Sequence, residues 1–224
     1  MEQDNTGRIN SICYLRVLAM VFILLCHFNA ENEHEIIRAT AQFFNIGVQI
    51  FFVVSGFLAG KHLIQKISWR RWYFKRLKRI YIPYELFLIF LAIFTVRVGM
   101  SLLNINWLLL AFGLQGTNVG VLGAEQTWFI SSLLICYLLT PAINGLYEQI
   151  TNKYLFLIVV LVFPLVLLML REVWAFTLLS PLSEYAIGIY LGKNNIENKL
   201  ANKRLPMMML LLVMAFSFRV AGRV

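Results

Sequence analysis

The sequence predicts an all-α protein, a polytopic transmembrane bundle of about seven spans with a cytoplasmic N-terminus. Three observations support this prediction. Hydrophobic residues make up 60% of the 224 residues and charged residues 14%, a composition that does not suit a water-exposed surface. The apolar residues form blocks near the roughly 20 residues that a helix needs to cross a bilayer. Basic residues alternate in number from loop to loop. A disordered chain, a secreted disulfide scaffold and a soluble nucleic-acid binder are excluded.

The order of the apolar blocks and basic loops gives the predicted topology. The predicted spans are residues 9–29, 43–60, 80–97, 127–146, 154–170, 174–192 and 205–220, and the shorter block 107–114 is expected to be interfacial or re-entrant. The N-terminus and the even-numbered loops hold fourteen Lys and Arg, against three in the odd-numbered loops. This asymmetry places the N-terminus in the cytoplasm. No repeat or linker divides the chain, so a single membrane domain covering residues 1–224 is predicted.

Two glycine pairs have the spacing that lets membrane helices approach closely. Gly56 and Gly60 are four residues apart, as are Gly188 and Gly192. Small residues at this spacing are typical of helix–helix contacts in membranes. The pairs therefore predict packing and no chemistry.

Ionisable residues inside apolar spans are candidates for function, because a charge at mid-membrane costs a few kcal/mol. Arg16 and His27 are eleven residues apart. On an α-helix this spacing rotates the second side chain only about 20° beyond three full turns and moves it about 16 Å along the axis. They therefore share one face, which would line a path through the membrane. Alternatively, Arg16 extends to the cytoplasmic headgroups and His27 meets the outer interface. The spacing leaves both interpretations open.

Glu184 lies inside the apolar block 174–192. It is expected to face a cavity or a cation such as Arg16 or Arg171, either at a functional site or in a structural ion pair. The three cysteines lie in apolar blocks without the spacing of metal ligands, so no metal site is predicted.

Residues 68–79 interleave basic and aromatic side chains. This pattern is typical of an amphipathic helix lying on an anionic leaflet. Arg76 and Arg79, three residues apart, could also bind the phosphates of a ligand that arrives from the cytoplasm. Glu85 is expected to form an interfacial salt bridge with Arg79 or Lys78. Nucleic acid is not expected, since no soluble domain shapes a groove for it.

Several motifs together carry a family resemblance that periodicity alone does not supply. They are Arg16 and His27 with ten residues between them, the stretches 47–58 and 74–80, Pro83 with Tyr84, Trp128 with Phe129, and the stretches 137–141 and 188–193. In their order and spacing the chain resembles the acyltransferase 3 family of integral membrane acyltransferases. The resemblance covers residues 10 to 193. Family members usually have longer chains with more spans, so this chain is expected to be incomplete at its C-terminus.

The resemblance implies transfer of an acyl group, commonly acetyl from acetyl-CoA, to a hydroxyl of a cell-surface or exported carbohydrate or glycolipid. It implies a bacterial inner-membrane location and a catalytic role for His27, with Arg16 supporting donor binding or site geometry. Acyl-CoA would be a co-substrate, with no bound cofactor and no metal. The expected partners are the acyl donor, the carbohydrate acceptor and membrane lipids, and a homo-oligomer is left open.

The working hypothesis is that His27 is the general base, because imidazole accepts and releases a proton near neutral pH. Arg16, Arg76 and Arg79 would hold the donor's phosphates, and Glu184 would orient or charge-balance the site. Direct transfer and an acyl-histidine intermediate both fit. The alternatives are a transporter or flippase for a glycan or lipid-linked sugar, or an inactive truncated family member.

Overall fold

The computed structural model describes residues 2–29, 34, 36–37, 43–64, 68–99, 107–113, 127–169 and 178–194. Within these ranges every regular element is a helix, as the sequence predicts. The helices are α1 (Glu2–Asn29), α2 (Ile46–Ile64), α3 (Trp69–Arg97), α4 (Trp107–Ala111), α5 (Trp128–Gln149), α6 (Lys153–Met169) and α7 (Pro181–Lys193). The block 205–220, predicted to be the last span, lies outside the described residues.

The helices have the apolar character of a membrane protein. In the part of the chain that the structure describes, three helices are long and apolar enough to cross a bilayer, namely α2 over Ile46–Leu63, α3 over Trp69–Arg97 and α5 over Trp128–Gln149. Two shorter helical stretches are also apolar, Ile12–His27 and Lys153–Met169. The all-helical membrane fold is therefore confirmed, while the count of about seven spans and the cytoplasmic N-terminus stay predictions.

The chain divides into two compact units, which are described separately. The first unit consists of Met1–Ile64 with Glu184–Val224, and the second of Gln65–Ser183. The boundary falls inside the first turn of α7. The expectation of a single domain stays a prediction.

In the first unit α1 packs against α2 through small side chains. Ala19 of α1 is fully buried, and a Cβ built on Gly47 would lie 2.5 Å from the Ala19 carbonyl oxygen. The rings of Phe22 and Phe44 lie beside this contact, 5.3 Å apart between centroids. The absence of a side chain at Gly47 therefore allows the two backbones to touch.

The first unit also contains the close helix crossing that the two glycine pairs predict. A Cβ on Gly56 would overlap the carbonyl group of Tyr185, and a Cβ on Gly188 would overlap that of Val53. The other members of the pairs show the same relation, since a Cβ on Gly60 would lie 2.5 Å from the Ile189 carbonyl oxygen and one on Gly192 would overlap that of Phe57. The prediction of packing is confirmed, and its partners are α2 and α7.

In the second unit α3 is a single helix of 29 residues. Its N-cap is Ser68, whose Oγ accepts a hydrogen bond from the Arg71 amide at 3.5 Å. Residues 69–79, predicted to form an amphipathic helix at the membrane surface, are the first turns of the same helix that contains the predicted span 80–97. The helix also continues through Pro83, although proline there cannot donate a hydrogen bond to the Arg79 carbonyl and its ring crowds that carbonyl. Membrane helices tolerate proline because neighbouring groups can satisfy the freed backbone.

The short helix α4 packs along the middle of α3. Leu110 of α4 is fully buried and clusters with Tyr84, Leu88 and Leu91 of α3. At five residues α4 is about 8 Å long, too short to cross a bilayer. Its position beside residues 84–91 favours the re-entrant alternative for the block 107–114.

Three side-chain hydroxyls hold the C-terminal end of α4, and we call them the hydroxyl clamp. Tyr84 donates to the Leu110 carbonyl at 2.6 Å, Tyr81 to the Phe112 carbonyl at 2.9 Å, and Ser131 of α5 to the Gly113 carbonyl at 2.6 Å. Gly113 has a φ of 62° and terminates the helix in the left-handed region that glycine tolerates best. The clamp satisfies carbonyls that would otherwise be costly in hydrocarbon.

A lysine joins the end of α5 to the start of α6. The Lys153 ammonium donates hydrogen bonds to the Tyr147 carbonyl and, at 2.8 Å, to the Ile150 carbonyl. It also lies 4.2 Å from the centroid of the Tyr147 ring. A cation at this position complements the partial negative charge of the C-terminus of α5. The Tyr147 ring packs edge-on against Phe156, 5.3 Å away.

Candidate functional site

The residues that the sequence predicts to be functional fall in both units. Arg16, His27 and Glu184 belong to the first unit, and Arg76 and Arg79 to the second. The two sets are therefore described in turn.

Arg16 and His27 lie on one uninterrupted helix. Since α1 runs from Glu2 to Asn29 without a break, their helical spacing applies and separates them by about 16 Å along the axis. Arg16 is half-buried and His27 is exposed in the last turn. The protein therefore leaves the His27 side chain uncovered, whereas it partly encloses Arg16.

Glu184 lies in the first turn of α7 and is 7% exposed. The predicted span 174–192 placed it in the interior of a helix, whereas α7 begins at Pro181, a residue type favoured at the start of a helix. The partial positive charge of a helix N-terminus stabilises a carboxylate, which lowers the cost of burying Glu184. Its pairing with Arg16 or Arg171 stays a prediction, and Arg171 lies outside the described residues.

Arg76 is a buried cation enclosed by aromatic rings. Its side chain is 8% exposed. The guanidinium carbon lies 5.6 Å from the centroid of the Trp72 ring and 5.7 Å from that of the Tyr137 ring. Contacts at these distances are favourable cation–π interactions, and they are stronger for a desolvated cation. Two helices, α3 and α5, thus combine to hold one guanidinium.

The rings around Arg76 form a connected group, which we call the aromatic cluster. It consists of Trp69, Trp72 and Tyr73 of α3 and Tyr137 of α5. Trp72 and Tyr137 meet edge-on with centroids 5.5 Å apart, and the Tyr73 hydroxyl donates to the Leu138 carbonyl at 3.3 Å. Trp69 lies 5.9 Å from Trp72. The cluster fixes the start of α3 against α5 and positions the Arg76 side chain.

Two donors beside this cluster lack an acceptor within the described ranges, and of the two only the Trp72 indole nitrogen is fully enclosed. Across the described ranges the Arg76 side chain has the two ring contacts but no ion pair or hydrogen bond. The indole Nε1 of Trp72 is buried and likewise without a hydrogen-bond partner. Buried polar groups are normally hydrogen-bonded, and a buried charge without a partner is costly. The position therefore suits an anionic acceptor supplied by a ligand.

Arg79 differs from Arg76 in its surroundings, although both belong to the same motif. The two lie about 60° apart around α3, and Arg79 is exposed. The salt bridge expected between Glu85 and either Arg79 or Lys78 does not form in the described structure. Six or seven residues separate these side chains, about 9–10 Å along the axis, which is beyond the reach of an ion pair within one helix.

Sequence reasoning did not identify Trp72 and Tyr137 as the residues that hold Arg76. Trp72 precedes Arg76 by four residues, a helical spacing that could have been read from the sequence. Tyr137 is far away in sequence, and its only signal was its place in one of the quoted motifs. The hydroxyl clamp had no signal in the sequence, because its side chains come from two helices, α3 and α5, and its acceptors are backbone carbonyls of a third segment.

A family model described as an acyltransferase domain matches residues 9–222. The match spans nearly the entire chain and contains every residue that the sequence predicts to be functional. No curated protein and no solved structure gives a significant match.

Proposed function

Because the chain belongs to the acyltransferase 3 family, we propose that it transfers an acetyl group from acetyl-CoA to a hydroxyl of a cell-surface or exported carbohydrate. The family match supports acyl transfer in general, and the apolar helices support action in a membrane. The donor, the acceptor and the bacterial inner-membrane location belong to the proposal.

The observation that carries the donor assignment is the environment of Arg76. The guanidinium is buried between Trp72 and Tyr137, and no acidic side chain of the described ranges pairs with it. A coenzyme A thioester is rich in phosphate, and guanidinium binds phosphate through two parallel hydrogen bonds. The Trp72 indole N–H can donate to the same group. Exposed Arg79 would meet the donor from the aqueous side.

In the proposed reaction His27 takes the proton from the acceptor hydroxyl as that oxygen attacks the thioester carbonyl carbon. The new C–O bond forms, the C–S bond breaks, and the proton passes to the coenzyme A thiolate. The exposure of His27 supports this role, since a general base must reach its substrate. Arg16 on the same helix would bind the donor or shape the site, and Glu184 would balance charge.

The test is transfer of label from radiolabelled acetyl-CoA to membrane glycans. Membranes containing the parent chain are compared with membranes containing His27→Ala at equal expression. We expect the variant to lose about 100- to 10,000-fold of the transfer rate, the usual contribution of a general base. His34→Ala is the matched control, because His34 is exposed and has no assigned role, and it should transfer at the parent rate.

Four outcomes separate the proposal from its alternatives and the two routes of transfer from each other. Full activity in His27→Ala would remove the general base assignment. Glycan movement across the membrane without covalent label would indicate a transporter or flippase instead. Absence of label with every variant, in membranes where the chain is correctly inserted, would contradict transfer of acetyl from acetyl-CoA to these glycans, and would leave a different acyl donor, a missing acceptor or an inactive family member. Label retained on His27 itself would indicate the acyl-histidine route.

A further inference from the structure

The exposed side of α3 carries three cations in a row, and we call them the cationic row. Arg71, Lys75 and Lys78 are spaced four and three residues apart, which places them within about 60° of one another around the helix. All three are exposed. Throughout the described ranges none of the three side chains forms an ion pair or a hydrogen bond. The row is thus a concentrated positive charge that the described protein does not neutralise.

The same side of α3 becomes apolar directly after the row. Ile82, Leu86, Ile89 and Ile93 continue its helical spacing and are 51%, 63%, 57% and 57% exposed. They stay within about an 80° arc that includes the cationic row. Large apolar side chains exposed along a helix that is long enough to span a bilayer suit contact with lipid tails. The cationic row continues this apolar side of α3 toward the N-terminus of the helix.

The dimensions agree with this placement. Arg71 and Lys78 are separated by about 10 Å along the axis, comparable to the roughly 5–8 Å headgroup region of one leaflet. Phe74 is 69% exposed beside the row, and Trp69 is 38% exposed at the start of the helix. Aromatic rings are enriched at the membrane–water interface. Cations and rings together match the chemistry of an interface rather than that of a water-filled cleft.

We propose that the cationic row binds the headgroups of anionic phospholipids. Charge complementarity argues for this occupant, because each Lys or Arg near an anionic leaflet adds favourable binding. Continuity with the apolar side of α3 argues for a lipid over a soluble phosphate. The row is also distinct from Arg76, which lies about 120° around the helix from its centre and is buried. The inference does not depend on acyl transfer.

The experiment is lipid titration of the purified full chain in detergent, read by native mass spectrometry. The probes are phosphatidylglycerol and phosphatidylcholine with identical acyl chains. We expect phosphatidylglycerol to bind more tightly, and the double variant Lys75→Gln, Lys78→Gln to weaken that binding about 30-fold, or about 2 kcal/mol. A third arm adds millimolar inorganic pyrophosphate, which should not displace phosphatidylglycerol from the parent chain.

The matched control removes two exposed cations of α3 outside the row, Arg70→Gln with Arg97→Gln. It changes net charge equally and should retain parental phosphatidylglycerol binding. Equal binding of the two lipids, or equal loss in both double variants, would overturn the inference. Displacement by pyrophosphate would overturn it as well, because it would identify a site for soluble phosphates. The readout is lipid binding and not acyl transfer. A failure of this inference is therefore distinguishable from a failure of the proposed acyltransferase function.

Discussion

The Arg76 guanidinium lies 5.7 Å from the ring centroid of Tyr137, and this contact joins two helices whose sequences are far apart. It places a permanent charge in a buried aromatic environment at the start of α3. A charge in such a place interacts more strongly with a bound anion than one in water, because the effective dielectric constant is lower. The same helix presents Arg79 to solvent. The two arginines of one motif therefore have unequal roles in binding.

This inequality predicts unequal kinetics for Arg76→Gln and Arg79→Gln. For Arg76→Gln we expect the KM for acetyl-CoA to rise about 10- to 100-fold, because hydrogen bonds to charged groups are worth about 1.5–3 kcal/mol. For Arg79→Gln we expect about a two- to fivefold rise at low salt. Initial rates at varied acetyl-CoA concentration, measured at low and at high ionic strength, test both.

Salt separates the two effects further. Screening acts on exposed charges, so about 1 M salt should abolish the difference between Arg79→Gln and the parent. The effect of Arg76→Gln should persist. Identical KM values for both variants at low and high salt would contradict the assignment of Arg76. Thermal stability in detergent should be recorded for each variant, so that a folding defect is not mistaken for weak binding.

Much of the fold could be predicted from the sequence because the bilayer restricts the alternatives. Spanning segments must satisfy their backbone groups internally, so the apolar blocks that the structure describes became helices at nearly the predicted positions. The glycine pairs also predicted a close crossing, since Gly56 and Gly188 carry no side chain to keep backbones apart. The partner helices were not predictable, because four-residue spacing does not indicate which surface is opposite.

The predicted helix boundaries were wrong where polar segments of the sequence adjoin apolar ones. Residues 68–79 have the composition of a surface helix, and the sequence offered no stop between them and the span that follows. The predicted span 174–192 placed Glu184 in the interior of a helix because its neighbours are apolar, whereas α7 begins at Pro181, just before it. At the candidate site, the sequence motif predicted that Arg76 has a functional role. It did not predict the burial of Arg76, because that burial depends on Tyr137, which is far away in the sequence.

The crossing of α2 and α7 predicts a steep cost for a single added methyl group. In Gly188→Ala the new Cβ would overlap the Val53 carbonyl and lie 2.9 Å from the Gly56 Cα. The backbones must separate, and overpacking of this kind typically costs about 1–3 kcal/mol. We expect the melting temperature in detergent to fall by about 5 °C or more, measured by size-exclusion chromatography after heating.

Gly145→Ala is the control for that experiment. A Cβ on Gly145 meets no atom within 4 Å, and alanine is the better helix former by about 1 kcal/mol. Its melting temperature should equal or exceed that of the parent. A Gly188→Ala protein as stable as Gly145→Ala would mean that the α2–α7 contact is looser than the described backbone positions require.

The hydroxyl clamp predicts a graded loss of protection at the end of α4. In Tyr84→Phe the Leu110 carbonyl loses the tyrosine donor but keeps the Gly113 amide at 2.8 Å, so we expect a loss of about 1 kcal/mol. In Ser131→Ala the Gly113 carbonyl loses its donor in a buried setting, and the loss should reach about 1–3 kcal/mol. Hydrogen–deuterium exchange across residues 107–113 measures both, and faster exchange is expected in the order Ser131→Ala, Tyr84→Phe, parent. Tyr14→Phe is the matched control, because Tyr14 is 73% exposed on α1. Exchange in Ser131→Ala as slow as in Tyr14→Phe would show that packing of Leu110 on α3 holds α4 without the hydroxyls.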